Sequence, residues 1–440
     1  MPVAGDRDAV TGHRPGITRR VTMTSQFTTD VAEMIDQVRD IPLYRDSVRT
    51  GEFPVLEKAA IADGFPDNWM TPELRAALDS GEAEFVLSTG TNHARMQLIR
   101  PPYFLLKSYY RLWSEHPELA RTWELGCPRV SITTVLATEH VARVNAKARG
   151  EAAAEHPTLA DRRLDDRTVY VNQTLDPALW SRSDVERMLD EIEQTRAAHP
   201  EGRYHLDCSS YHLAHLALKA RAWGLDDRFP EPDSIIHAYE YTPDNVARFL
   251  RARFACPIVD LFGSTELGYL YYSDGQAAYR PYLDQMKVEL IPVEEGSSLF
   301  SVIVSSVRNP YMPLIRYRSG DCARTVDGSP DPTRIARFCG REKELVRVGS
   351  TLVCHGDLDR WIGECAPSIF LYRLRVGEGS DAELEYTTFD GVPIDPAVSA
   401  ALVDALSKNL ELSTTPAWRE HIPIGKSGKY AWLHPESRNT

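Results

Sequence analysis

The chain has no membrane-length apolar run. Nothing in it approaches the roughly 20 consecutive apolar residues of a spanning helix, which argues against a helical membrane protein. The first 22 residues, rich in Arg, Gly and Thr, lack the apolar core of a secretory signal. Residues 1–28 are read as a disordered leader, with Met23 as an alternative start. There is no CxxC pair, and the seven cysteines are an odd, scattered number. That pattern predicts free thiols in a reducing, cytoplasmic setting rather than a disulfide framework. Positive charge is also short: 50 Lys and Arg stand against 63 Asp and Glu, a net charge of −13. Nucleic acid and anionic membranes are therefore not expected partners. An anionic ligand needs cations close by, which suffices because fields fade over about 8 Å at physiological salt. The Walker spacing GxxxxGK[ST] is absent, and no internal repeat is found.

What is present is an α/β pattern too long for one core. A chain of 440 residues is expected to form two or more domains, and strands alternate with helices as layered α/β folds require. Helical periodicity is predicted over 30–40, 71–80, 182–196 and 245–253, with a buried aromatic helix over 102–115. A strand is predicted over 130–136 and an Ala-rich helix over 142–160. Period-two alternation over 286–293 and 299–307 predicts a hairpin. Beyond Gly349 the pattern turns smaller and mixed, with helices over 357–364 and 396–409 and strands over 369–376 and 382–389.

Chemistry-bearing stretches punctuate this pattern. The strand beginning at Phe85 runs into a hydroxyl-rich loop, Ser88, Thr89, Gly90, Thr91, which suits a polyphosphate cradle or an ordinary turn. A strand ending at Leu206 leads through Ser209 and Ser210 into a helix carrying Tyr211, His212 and His215. The spacing of His205, Cys208, His212 and His215 admits zinc, but no second ligand pair accompanies it, so a pocket lining or core histidines are preferred. Phe262-Gly263-Ser264-Thr265-Glu266 places a carboxylate after a strand end, where it can hold Mg²⁺ on a phosphate or simply face solvent. In IRYRSGDCAR, Asp321 follows a Ser-Gly turn among Arg316, Arg318 and Arg324. Carboxylates chelate vicinal hydroxyls, and guanidinium groups pair with phosphates. Gly340-Arg341 then leads into the charged run Glu342-Lys343-Glu344, read as a hinge. Close to the end, Gly425-Lys-Ser-Gly-Lys429 is a Gly-flanked basic turn.

The order of these stretches (hydroxyl-Gly loop, FGSTE, RYRSGD, GREKEL, SGK) resembles the adenylate-forming superfamily of acyl- and aryl-CoA ligases. YMPLIRYRSGD, IPLYR and FPVLEKAAI resemble its phenylacetate–CoA ligase branch. The resemblance implies an α/β fold: a large multi-layer N-terminal adenylation domain with mixed sheets, 29–340, and a small α+β C-terminal lid, 341–440. It implies ATP, Mg²⁺ and CoA as ligands and a small carboxylic acid as substrate; the aromatic side chains Tyr269, Tyr271, Tyr272 and Tyr211 suit an aromatic or short-chain acid, or equally a strand and core. Residue by residue, Ser88 to Thr91 match the phosphate loop. Phe262 and Gly263 match the adenine platform, with Tyr239 and Glu240 a looser match at a second adenine-side turn. Thr265 matches the phosphate-contacting hydroxyl, Glu266 the magnesium ligand, and Asp321 the ribose carboxylate. Arg341 matches the arginine after the hinge glycine, Glu344 the hinge position, and Lys429 the adenylation lysine, with Lys426 as runner-up. Ser209, Ser210, Tyr211, His212 and Tyr269 are the expected substrate pocket. The loop departs from the family in STGTNHARM, where His93 stands for a glycine and the Pro-Lys pair is missing. The sequence is also compatible with an adenylating enzyme with a non-CoA acceptor or a non-carboxylate oxyanion, and with a nucleotide-binding protein without turnover. A homodimer is compatible with either.

Overall fold

The computed structural model describes residues 34–87, 96–275, 278–348, 351–377, 381–410 and 412–435. The expected leader and the expected phosphate loop, Ser88 to Thr91, lie outside the described residues.

Helix α1 (Pro72–Ser80) starts where Thr71 accepts the Leu74 N–H at 3.2 Å, with proline in its first turn. β1 (Glu84–Leu87) and β2 (Gln97–Arg100) pair antiparallel on either side of the expected phosphate loop. α2 (Phe104–Glu115) buries Tyr109, Leu112 and Trp113. The central sheet follows, its strands separated by helices: β3 (Arg129–Ile132), α3 (Val135–Ala148), β4 (Thr168–Tyr170), α4 (Arg182–Ala197), β5 (His205–Cys208), α5 (Ser210–Ala222), β6 (Ser234–His237), α6 (Asp244–Arg253) and β7 (Ile258–Ser264). β8 (Gly268–Ser273) and β9 (Arg280–Pro281) complete it in the order β4-β3-β5-β6-β7-β8-β9. The first five strands run parallel and the last two antiparallel.

The two faces of this sheet differ because side chains alternate along each strand. Val130, Ile132, Leu206 and Ile235 pack against Val185, Leu189, Leu213 and Leu216 of α4 and α5. The opposite face is polar yet buried. Arg129 faces His205, and Ser131 faces Asp207, in the β3–β5 register. The Arg129 guanidinium pairs with Asp207 at 2.5 Å and lies 4.4 Å from the Tyr109 ring centroid. Ser131 and Tyr239 donate to the same Asp207 oxygen at 2.9 and 3.0 Å. A buried charge pair is tolerable only with such partners.

A second, antiparallel sheet is formed by β10 (Met286–Pro292), β11 (Leu299–Ser306), β12 (Leu314–Thr325) and β13 (Ile335–Arg341). The smaller unit contains the hairpin β14 (Val346–Val348) and β15 (Thr351–Val353), and α7 (His355–Cys365). It continues with β16 (Ile369–Val376), β17 (Asp381–Thr388), α8 (Pro396–Leu410), β18 (Ser413–Trp418) and β19 (Leu433–Pro435). The expected fold class is what forms: α/β, with several sheets in the large lobe, of which the seven-stranded one is mixed, and a small α+β unit after it.

Three expectations are corrected. The strand expected over 130–136 stops at Ile132, because Thr134 accepts the Leu136 N–H and starts α3. The helix expected over 142–160 is shifted back and ends at Ala148, with Gly150 at φ +73° closing it. Ser319-Gly320 is not a free turn. It lies inside the twelve-residue strand β12, where Gly320 (φ +78°) sits beside a register shift against β13.

The small unit is sewn to the large lobe. Phe370, Leu371 and Ile422 belong to the same apolar core as α5 and α6. Phe249 stacks on Phe389 at 4.8 Å. The Asn245 amide donates to the Ala366 and Ile369 carbonyls at 3.1 and 2.8 Å. Arg337 joins Asp244 (2.6 Å) to Asp359 (2.8 Å) across the same seam.

Candidate active site

Four backbone segments converge at one end of the central sheet. The first is the β7–β8 hairpin, whose turn is Thr265-Glu266-Leu267. Gly263 is required there. A Cβ at this position would stand 2.2 Å from the Gly268 carbonyl oxygen and 2.7 Å from the Tyr269 Cα. The hairpin turns Glu266 inward, 7 % exposed, where it accepts the Tyr317 hydroxyl at 3.0 Å. Burial, followed by Glu266, pushes the Tyr317 phenol up, so it remains a donor. Phe262 stacks face to face on Phe338 at 3.4 Å.

The second segment is the β12–β13 pair. Asp321 lies opposite Arg341 in the register, and the Arg341 Nη1 reaches the Asp321 Oδ1 at 3.1 Å and the Ser319 carbonyl at 3.0 Å. Burial raises the Asp321 carboxyl; Arg341 opposes this, Glu266 adds to it, and Lys58 and Ser319 oppose it. Lys58, in the stretch FPVLEKAAI, carries no local signal that would place it near Asp321. The flanking arginines do not serve the site. Arg316 pairs with Glu289 (3.0 Å), Arg318 with Glu57 (2.8 Å) and Arg324 with Asp357 (2.9 Å). Their expected contact with phosphates is thus corrected: these guanidinium groups tie β12 to its neighbours.

The third segment is the turn after β6. Tyr239 adopts φ +83°, a left-handed conformation seldom used by an aromatic residue. This sends its hydroxyl down to Asp207 and lets Glu240 face the site. Glu240 accepts the Ser209 hydroxyl, and its Oε1 lies 4.0 Å from the His212 Nδ1. Burial pushes the Glu240 carboxyl up to about 7, against the Ser209 hydrogen bond, Lys429 and the Tyr430 N–H.

The fourth segment is the terminal basic turn. Gly425 N–H donates to the Lys429 carbonyl at 2.9 Å and Gly428 N–H to the Gly425 carbonyl at 2.8 Å. The turn is pressed on the large lobe, since a Cβ at Gly428 (φ +71°) would meet the Thr134 Oγ1 at 2.0 Å. Lys429 is partly buried, whereas Lys426 is exposed. Burial lowers the Lys429 ammonium; Glu240 opposes that, Arg341 adds to it, and Asp321 and Glu266 oppose it. The ammonium thus stands in the field of three carboxylates, yet forms no ion pair among the described residues. Glu344 accepts the Trp432 indole N–H at 3.1 Å, tying the expected hinge to β19's approach.

The expected substrate-pocket residues do not stay together. Ser209 is bound to Glu240. Tyr211 packs on Phe370 (6.2 Å) and Tyr430 (4.9 Å), in the seam between lobes. His212 and Ser210 are buried, and among the described residues neither the His212 nitrogens nor the Ser210 hydroxyl has a hydrogen-bond partner. Tyr269 belongs to a different core, beside Tyr109 and Leu261. His205 bonds Tyr109 (2.6 Å) and Ser234 (2.7 Å), and His215 bonds Tyr430 (3.1 Å), so each already has a partner. Among the described residues, no group of three His, Cys, Asp or Glu is arranged to hold a metal ion.

In sequence, the chain matches no family model and no curated protein. Solved structures do match it. A 2-hydroxyisobutyryl-CoA ligase in the postadenylation state, in complex with R3-HIB-AMP, aligns over 97 % of this chain and 94 % of its own at 12 % identity, with a TM-score of 0.63. The chain has the fold of adenylate-forming CoA ligases. An open conformation of that ligase, with 2-HIB-AMP and CoA, aligns over 92 % and 90 % with a TM-score of 0.51 at 11 % identity. The anthranilate CoA ligase AuaEII with anthranoyl-AMP aligns over 79 % of this chain and 65 % of its own, at 12 % identity and TM-score 0.51. ATP-bound MatB from Rhodopseudomonas palustris aligns over 78 % and 65 %, at 13 % identity and TM-score 0.50.

Proposed function

We propose that this protein is an AMP-forming acid–thiol ligase. It would activate an aromatic or short-chain carboxylic acid as its adenylate and pass the acyl group to CoA. The observation that carries this reading is the partly buried Lys429 ammonium, which forms no ion pair among the described residues and is set among Glu240, Asp321, Glu266 and Arg341. An ammonium left in that position is ready for an anion bridging the two lobes. The higher score against the postadenylation ligase than against its open form supports the same arrangement of lobes.

The residues fit the chemistry. Asp321 on β12 would hold the ribose hydroxyls, kept in place by Arg341. Phe262 and Gly263 would flank the base, and Thr265 and the loop Ser88 to Thr91 the phosphates. A single carboxylate, Glu266, suits Mg²⁺, which is usually held by one or two carboxylates plus substrate phosphates; the ion would neutralise phosphate oxygens. The acid's carboxylate oxygen attacks the α-phosphorus and the bond to pyrophosphate breaks. Lys429 offsets the charge that gathers between the two anions. We assign 29–340 to the nucleotide- and acid-binding lobe, and 341–440 to the lid, with Glu344 as its hinge.

The test is pyrophosphate release and acyl-AMP detection by mass spectrometry over a panel of carboxylic acids, followed by addition of CoA. An aryl or short-chain acid should give both adenylate and thioester. Strong preference for long fatty acids, or ATP binding without any AMP, would overturn the reading. A second reading, an acceptor other than CoA, is favoured by the buried seam at Phe370, Leu371 and Ile422, which a large lid rotation would have to expose. Adenylate formation with no CoA thioester would select it.

A further inference from the structure

Glu240 has contacts that the nucleotide-site reading does not use. It sits at the large lobe's edge with its side chain 6 % exposed. One oxygen takes the Ser209 hydroxyl from the start of α5, and the other takes the backbone N–H of Tyr430 at 3.4 Å. Tyr430 directly follows Lys429, so the carboxylate grips the lid one residue from the ammonium. The groups around the grip act in the same sense. The Tyr430 hydroxyl meets the His215 Nε2 at 3.1 Å, and its ring meets Tyr211 at 4.9 Å. On the far side of the turn, Gly428 rests against Thr134, and further back His421 and the Ile424 N–H bind Asp176 at 2.8 and 3.3 Å. The terminal turn is therefore pinned at both ends, and the pin nearest Lys429 is Glu240.

We propose that Glu240, braced by Ser209, is the seat on the large lobe that fixes the catalytic turn: a positioning residue for Lys429, and not a contact to the nucleotide. This rests on the adenylation role proposed for Lys429. A backbone N–H on a carboxylate oxygen is a directional contact, here a long one at 3.4 Å supported by the Tyr430 hydroxyl and ring contacts, and a seat of this kind acts only when the lid is closed. Ser209 keeps the carboxylate from swinging toward the lysine and collapsing into a plain ion pair.

The full chain carrying Glu240→Ala, Glu240→Gln, Lys429→Ala, or Glu240→Ala with Lys429→Ala separates the possibilities. Amide hydrogen exchange over 425–432 needs no substrate. Tyr430 should exchange at least tenfold faster in Glu240→Ala and within threefold of wild type in Glu240→Gln, whose amide oxygen still accepts. In ATP–pyrophosphate exchange, Glu240→Ala should lower kcat at least tenfold while KM for ATP stays within threefold, and it should add nothing in the Lys429→Ala background. Unchanged Tyr430 exchange, a raised KM at constant kcat, or multiplicative losses in the double variant would each refute the seat. If wild type shows no exchange with any acid, the ligase reading fails, and the amide measurement still decides on the seat.

Discussion

A lysine placed between lobes is only as effective as its approach, and two glycines and a carboxylate control that approach here. Lys429→Ala should reduce ATP–pyrophosphate exchange by about 10² to 10³, the usual loss when a preorganised charge is removed. Lys426→Ala, exposed on the same turn, should stay within twofold; equal losses would reassign the lysine. Gly428→Ala should impair exchange as well, because its methyl group collides with Thr134 only when the turn is seated. Glu240 also carries a pH signature. Its folded pKa of about 7 lies above the ordinary 4.5, so between those values the folded chain keeps a proton that the unfolded chain has lost. The group's contribution to stability is full below the lower value and disappears as pH rises through the upper one. Glu240→Gln should therefore gain in Tm over wild type on going from about pH 5 to about pH 8. Parallel Tm curves would dismiss the raised pKa.

At the scale of elements, the small unit's sheet depends on one carboxylate. Glu385 on β17 is 6 % exposed and meets Arg373 (2.6 Å), Arg375 (3.0 Å) and Arg419 (3.2 Å). Burial alone would raise its pKa, but hydrogen bonds from Arg375 and Arg373, then Arg419, hold it at about 2. This stability is present above the unfolded value of 4.5 and is lost as pH falls toward 2. Acid titration followed by Trp fluorescence should show the small unit of Glu385→Gln already weakened at neutral pH, and less sensitive to acid over that window. The helices and strands of this unit were readable in advance because their apolar periodicity is regular: α7, β16, β17 and α8 fall within two residues of expectation. β3 was overextended because Thr133-Thr134-Val135 reads as β-branched strand. The Thr134 hydroxyl instead caps a helix, a side-chain choice that propensity does not reveal.

For the whole molecule, the seam between lobes sets how the protein unfolds. Phe370, on the small unit's β16, is 3 % exposed and packed in the large lobe's core. Phe370→Ala should cost about 3–5 kcal/mol and lower the melting of both lobes together. Calorimetry of the wild type should show one transition; two well-separated transitions would mean that the seam does not couple them. The same seam bears on the acceptor, because a lid that leaves must first expose these side chains. No helix among the described residues is long and apolar enough to cross a membrane.

Taken alone, the sequence specified the fold class and the order of the motifs, and it singled out Asp321, Glu266, Arg341 and Lys429, which the structure brings into one another's field. Each of these depends on local signals: a glycine that permits a close approach, a strand end, a period of two or of 3.6. Only the tertiary structure decided how the charges are spent. Arg316, Arg318 and Arg324 look like phosphate ligands along the chain but are consumed by Glu289, Glu57 and Asp357 from distant elements. Lys58 looks ordinary along the chain and is brought near Asp321, while Glu240, expected at an adenine-side turn, is held by Ser209 and the Tyr430 N–H. A long-range ion pair leaves no local trace, because its partner is chosen by the packing of strands and not by neighbours in sequence.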